Sequence, residues 1–175
     1  MAKVTPILIG SLLFIAWGVP EQTAVPRDTL ITLRRFTDAF NNGTDYKLTI
    51  SADGTVIFQR IANPAVDISD LRARASEPIQ TRIPVDQIAL LVAEFERTRY
   101  FSLKDHYATT EDGCPNVFFD QGGAETSITM NGKTKSIFHY YGCSQEPLGA
   151  AYPLALTALE KKIDDIVGTK QWLKP

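Results

Sequence analysis

Two histidines, His106 and His139, and the carboxylates Asp105, Glu111, Asp112 and Asp120 are the groups in this 175-residue sequence that could move a proton or hold a metal ion. A histidine within reach of a carboxylate makes a general acid–base pair. His106 with Asp112 and Asp120 could therefore form a small hydrolytic site, and an exported hydrolase is carried as the alternative function. A metal centre asks for three or four converging ligands, with groups behind them that fix their orientation. The spacing shows no such convergence, so neither a metal nor a cofactor is expected. In the plainer reading His106 is a surface loop residue, and His139 is a strand residue whose ring packs among Tyr140 and Tyr141.

Other chemistries find less support. Ser102, Ser127, Ser136 and Ser144 lack the GxSxG setting of an activated serine. Gly122-Gly123 and Gly142 form neither GxGxxG nor a phosphate loop. Arg34, Arg35, Arg72 and Arg74 could suggest an anion patch, but neighbouring strand residues point to opposite faces, so Arg34 and Arg35 cannot meet one ligand. That charge run reads as solvated surface. Phe118, Phe119, Tyr140 and Tyr141 flank the two cysteines and could make a recognition surface for a protein or a small apolar ligand. Core filling is the plainer use of the same rings.

How Cys114 and Cys143 should be read depends on the compartment. Lys3 precedes an apolar run, Ile7 to Trp17, broken only by Gly10 and Ser11. The run falls short of the roughly 20 residues that cross a ~30 Å hydrocarbon layer, so residues 1–18 read as a signal peptide, with a cut before Val19 framed by Ala16 and Gly18. An uncleaved anchor is the competing reading, and the only route by which this chain would meet a membrane. Export to the periplasm or the extracellular space would expose both thiols to oxidation, and two cysteines in one small domain then read as a bridge. Two separate buried thiols are the alternative. A metal pair is disfavoured because no CxxC or HxxxH spacing accompanies them.

Composition bounds the remainder. Apolar residues make up 44% and aromatic residues 10%, enough for a real core in one domain. Eighteen basic against twenty acidic side chains leave a net charge of −2, too balanced to draw nucleic acid by field alone. The expected partner is an unidentified protein or small molecule.

Candidate residues need elements to hold them. Residues 19–28 carry two prolines and read as a flexible lead, with the domain occupying 29–175. Leu30 to Phe36 reads as a strand, followed by turn chemistry at Asn41-Asn42-Gly43. Tyr46, Leu48 and Ile50 alternate with polar residues, the period of a half-buried strand, and Asp53-Gly54 turns it onto Thr55 to Gln59. Asn63-Pro64 marks another turn, and Ala75 to Ile83 could be extended, with Pro78 implying an edge. Ile88, Leu91, Val92 and Phe95 line one stripe of a helix. Lys104 to Gly123 reads as a long, mostly polar connection. Asn131-Gly132 joins strands over Glu125–Met130 and Lys133–Tyr141. A second helix spans Tyr152 to Val167 on Leu156, Leu159, Ile163 and Ile166, ended by Gly168, with Trp172 and Leu173 folding back on the core.

The order ITLRR, DYKLTISADGTV, RYFSLKDHY, NGKTK and LEKKIDDIVGTKQWL resembles a bacterial exported family of unknown function, over about Ile31 to Leu173. The resemblance implies a fold and no reaction. Relatives often carry Cys-Phe-Gly-x-Cys-Pro between the first two strands, where this chain reads Ala39-Phe40-Asn41-Asn42-Gly43-Thr44 without either cysteine. Cys114 and Cys143 look like the pair some relatives keep. The expected fold is α+β, a two-layer sandwich in which two helices pack on one face of a mainly antiparallel sheet. The expected function is an exported accessory or binding domain.

Overall fold

The computed structural model describes residues 24–37, 44–62, 75–147 and 149–173. The signal segment at 1–18, residues 19–23 of the lead, the turns at Asn41-Asn42-Gly43 and Asn63-Pro64, and Arg72 and Arg74 lie outside the described residues.

The chain forms β1 (Leu30–Phe36), β2 (Tyr46–Ser51), β3 (Thr55–Arg60), β4 (Ile79–Arg82), α1 (Val85–Arg97), β5 (His106–Tyr107), β6 (Asn116–Val117), β7 (Gly123–Met130), β8 (Lys133–Tyr140), β9 (Cys143–Ser144) and α2 (Leu154–Val167). Seven strands make one sheet in the order β4-β3-β2-β1-β7-β8-β5, antiparallel except for the short parallel β5–β8 pair. β6 and β9 pair separately. The class is α+β, as expected.

Strand periodicity decides what each face meets. Ile31 and Leu33 of β1, Leu48 and Ile50 of β2, Val56 and Phe58 of β3, and Ile128 and Ile137 of the second hairpin are fully buried. The helices cover that face: Ile88, Leu91, Val92 and Phe95 of α1 and Leu156, Leu159 and Ile163 of α2 are also fully buried. Side chains one step along each strand, such as Arg34, Lys47 and Glu125, remain exposed on the opposite face. Burying a Leu, Ile or Phe side chain contributes roughly 1.5–3 kcal/mol, so this face holds the layers together.

Turn chemistry sets the register. Asn131 and Gly132 both have positive φ, 52° and 70°, the geometry a two-residue hairpin needs. The Asp28 carboxylate accepts both of their N–H groups, at 2.9 and 2.6 Å, tying the approach to β1 to the far hairpin. Those two bonds hold Asp28 below the usual carboxylate range. Gly168 ends α2 at φ 72°, and Trp172 folds back to lie 4.9 Å from the Phe58 ring.

Three details refine or revise expectation. The long, mostly polar connection after Lys104 is organised by β5, β6 and a turn capped by Asp112. α2 begins at Leu154, because Tyr152 donates its N–H to Cys143 and offers its carbonyl to His139, which keeps it on the β side of the boundary. The third is Arg35: it lies on the covered face of β1, in line with Ile31 and Leu33, and is not solvated surface.

Candidate functional site

Arg35 is the point where the apolar stripe of β1 ends. In register it faces Tyr46 of β2 on one side and Ala124 of β7 on the other, and His139 of β8 lies beyond Ala124. The single methyl of Ala124 leaves room above the sheet. α2 fills that room with carboxylates, because Glu160 and Asp164 stand four residues apart and so share the face that carries Leu156 and Ile163.

The result is a largely buried polar cluster. Arg35 Nε and Nη2 donate to Asp164 Oδ2 at 3.1 and 2.8 Å, and Nη1 donates to Glu160 Oε2 at 3.3 Å. Tyr46 and Thr169 donate their hydroxyls to Asp164 Oδ1 at 2.6 and 3.1 Å. Tyr141 donates to Glu160 Oε2 at 2.9 Å, and Thr126 to Glu160 Oε1 at 3.4 Å. The Arg35 guanidinium lies 5.4 Å from the centre of the Tyr141 ring. Burial works against the charge on Arg35, but Asp164 and Glu160 outweigh it and hold the guanidinium above its ordinary pKa. Burial, reinforced by Asp164, pushes the Tyr46 phenol well above its ordinary value.

Hydrogen-bond accounting fixes the charge of this cluster. His139 Nε2 lies 3.1 Å from the Tyr152 carbonyl, which only accepts, so Nε2 carries a hydrogen. Nδ1 lies 3.0 Å from Glu160 Oε1, and that contact is a hydrogen bond only if one of the two atoms is also protonated. The pair therefore shares a proton. Wherever that proton sits, the positive and negative charges of Arg35, His139, Glu160 and Asp164 cancel. A neutral cluster is the condition under which Glu160 can stay buried and Asp164 partly so, since an unpaired buried charge is costly.

The outer side of the cluster opens on a groove. A cavity of about 450 Å³ is bounded by Arg35, Phe36, Thr37, Tyr46, Gln121, Gly122, Tyr141 and Leu173. An adjoining cavity of about 350 Å³ shares Arg35, Gln121 and Tyr141 and continues past Thr157 and Lys161 to Gly149 and Ala150. Three of the five guanidinium hydrogens of Arg35 are used by Asp164 and Glu160, so among the described residues one N–H on each Nη has no partner.

The loop forming one rim is held in several ways. Cys114 and Cys143 are joined, with sulfurs 2.05 Å apart. Asn116 and Val117 pair with Ser144 and Cys143. Tyr140 donates its hydroxyl to Phe118 O at 2.9 Å and accepts the Gln121 N–H at 3.2 Å, while Phe118 N–H donates to Gly142 O at 2.8 Å. Gly142 admits this close approach, since a Cβ there would stand 1.9 Å from Phe118 O.

Of the four aromatics offered by the sequence as a binding surface, Tyr141 lines the groove, Tyr140 and Phe118 brace its rim loop, and Phe119 stands 82% exposed at the loop tip. His106 is exposed on edge strand β5, its ring 6.2 Å from Phe138. Asp112 Oδ2 accepts the N–H groups of Ala108 and Thr109 at 3.1 and 3.0 Å. The Ala108 bond foremost holds its carboxyl below the usual range. Asp120 is exposed with φ 59°. Among the described residues no hydrogen bond joins His106 to Asp112 or Asp120, and no three His, Cys, Asp or Glu side chains are grouped to hold a metal ion. Of the two rings expected around His139, Tyr141 stands edge to face at 5.2 Å, whereas Tyr140, one step along the strand, points to the other face and bonds Phe118; the polar contacts of His139 are with Glu160 and Tyr152. Arg35, Tyr46, Glu160, Asp164, Gln121 and Lys161 were not singled out as a group. The available signal was Glu160 standing inside the apolar stripe of a helix, where a carboxylate needs a partner.

The chain belongs to the family described as domain of unknown function DUF6438, whose model matches residues 29–167. No curated protein matches the chain.

Proposed function

We propose that this domain is a non-catalytic binding module, and that its ligand occupies the groove beside Arg35. The observation that carries the reading is a guanidinium with two N–H groups unpartnered among the described residues, fixed by buried Glu160 and part-buried Asp164 at the floor of a cavity of about 450 Å³. A donor held in one orientation before the ligand arrives binds at lower entropic cost than a free side chain. Volume in this range suits a small molecule or a short stretch of a larger one. The loop carrying Gln121 and Gly122 supplies the other wall, braced by the disulfide, β6–β9 pairing and Tyr140.

The same proposal includes export. The apolar run Ile7 to Trp17 has the length of a signal core, and a paired Cys114–Cys143 suits an oxidising compartment. No described helix is long and apolar enough to cross a membrane. Expression with residue 1 onward should yield an exported form whose intact mass begins near Val19. A full-length mass in the exported fraction would overturn the cleavage.

Amide NMR with a fragment set of small amides, acids and sugars tests the groove. Fragments should move the resonances of Gly122, Gly123 and Ala150. Fragments that gather at other surfaces, or none that bind, would refute the assignment. Steady turnover of ester or phosphodiester substrates, abolished by His106→Ala, would instead favour the hydrolase.

A further inference from the structure

Two cavities that share Arg35, Gln121 and Tyr141 are followed by a third of about 450 Å³, which shares Gly149 and Ala150 with the second and ends at Tyr152 and Leu154. The three are contiguous, so the groove is one section of a trench. A compact ligand would fill a single section. The trench shape asks for an elongated occupant.

Resting on the binding reading above, we infer that this occupant is an extended, uncharged stretch of peptide whose carbonyl oxygens accept from Arg35 and Gln121. Charge selects first. Arg35 sits in a cluster whose charges cancel, and Lys161 is paired with Asp165. The described centre of the trench thus offers donors without a net field, which suits a peptide carbonyl better than a carboxylate or phosphate. Surface chemistry selects second. Glycan chains are held largely on open aromatic faces, but at the centre of the trench the Tyr141 ring has Arg35 over it and His139 against it, Tyr46 lies 5.5 Å from Phe58, and the exposed Tyr152 ring stands only at the far end. At the far end Glu146 can accept from a peptide N–H.

The test uses the exported protein, with its disulfide intact, in amide NMR titrations against three probes. These are a pool of N-acetylated, C-amidated decapeptides without charged residues, a pool of cello- and chito-oligosaccharides, and N-methylacetamide as a compact amide. The peptide pool should shift Gly122 and Ala150 together, with affinity changing less than about twofold when salt is raised to about 0.5 M. Ala150→Trp adds bulk at an exposed position where two sections meet. It should weaken the peptide pool about tenfold and leave the N-methylacetamide shift at Gly122 unchanged. Binding by oligosaccharides and not peptides would overturn the inferred occupant. N-methylacetamide acting at Gly122, with no peptide effect at Ala150, would keep a binding groove and remove the extended ligand. Silence from all three probes would remove both.

Discussion

Glu160 accepts from Arg35, Tyr141 and Thr126 and shares a proton with His139, and its side chain is fully buried. Removing one partner of a buried ion pair leaves the others without compensation and costs about 3–5 kcal/mol, so Glu160→Leu should lower unfolding free energy by that amount in urea titrations. His139→Leu removes only one contact from Glu160. The double variant should cost clearly less than the two single losses together, because the shared proton disappears with both owners. Strict additivity would mean that the pair is not coupled. The phenols give a second prediction at this scale. Burial raises the pKa of Tyr46 and Tyr100 above the ordinary 10.0, with Asp164 and Glu160 respectively adding to it. The folded state then keeps protons that the unfolded state loses, so their contribution is fully present below the unfolded value and falls away as pH rises through the folded one. Urea midpoints should drop steeply above about pH 10, and Tyr46→Phe should flatten that drop. A curve unchanged by Tyr46→Phe would show that this phenol stays neutral at no cost to folding. Arg35 shows why these residues were hard to read from sequence. Period two placed it on the same face as Ile31 and Leu33, yet its charge argued for solvent; its burial is explained by carboxylates 125 and 129 residues away.

Turns and periodicity make most of the elements legible in the sequence. The alternation of Tyr46, Leu48 and Ile50, the Asp53-Gly54 and Asn131-Gly132 turns, and the stripe Ile88, Leu91, Val92, Phe95 are local signals that tertiary packing reinforces. Strand order was not legible, since pairing of β1 with β7 joins Leu30 to Thr129 through contacts that no local pattern encodes. β5, β6 and β9 are two residues long each, too short for any periodicity to register. The two turn glycines, though alike in sequence, should respond differently to substitution. Gly132 has φ 70° with nothing within 4 Å of an added Cβ, so Gly132→Ala should cost only the left-handed strain of about 1–2 kcal/mol. At Gly54, φ is 85° and a Cβ would stand 2.2 Å from the backbone oxygen of Ile83. Gly54→Ala must therefore also displace the segment between β4 and α1. Thermal melts should rank it well below Gly132→Ala; equal melting temperatures would mean that the β4 edge yields without cost.

Within the whole molecule β1 is the joint: the first hairpin lies on its β2 side and the second on its β7 side, while α1 and α2 cover one face and touch each other. The disulfide lies outside this frame. It closes a loop of 29 residues between Cys114 and Cys143, and in that interval the chain makes β6, β7 and β8. The chain-entropy estimate for a loop of this length is about 3–4 kcal/mol of lost unfolded-state freedom, so a Cys114→Ser, Cys143→Ser double variant should lose about that much by urea titration. The location of the loss separates two roles for the bridge. β7 and β8 are held by their own ladder, and β7 by β1 as well, whereas the rim loop depends on the short β6–β9 pair and on Tyr140. Hydrogen exchange in the double variant should therefore accelerate first at Phe118, Gln121 and Tyr141, whose N–H groups bond Gly142 O, Tyr140 Oη and Gly122 O. Amides of β1 and β2 should change only through the global loss. Acceleration confined to the rim would make the bridge a clamp on the groove wall, so reduction would weaken binding before it unfolds the domain. Equal acceleration throughout the sheet would instead make it a staple of the whole fold, with no separate influence on the groove.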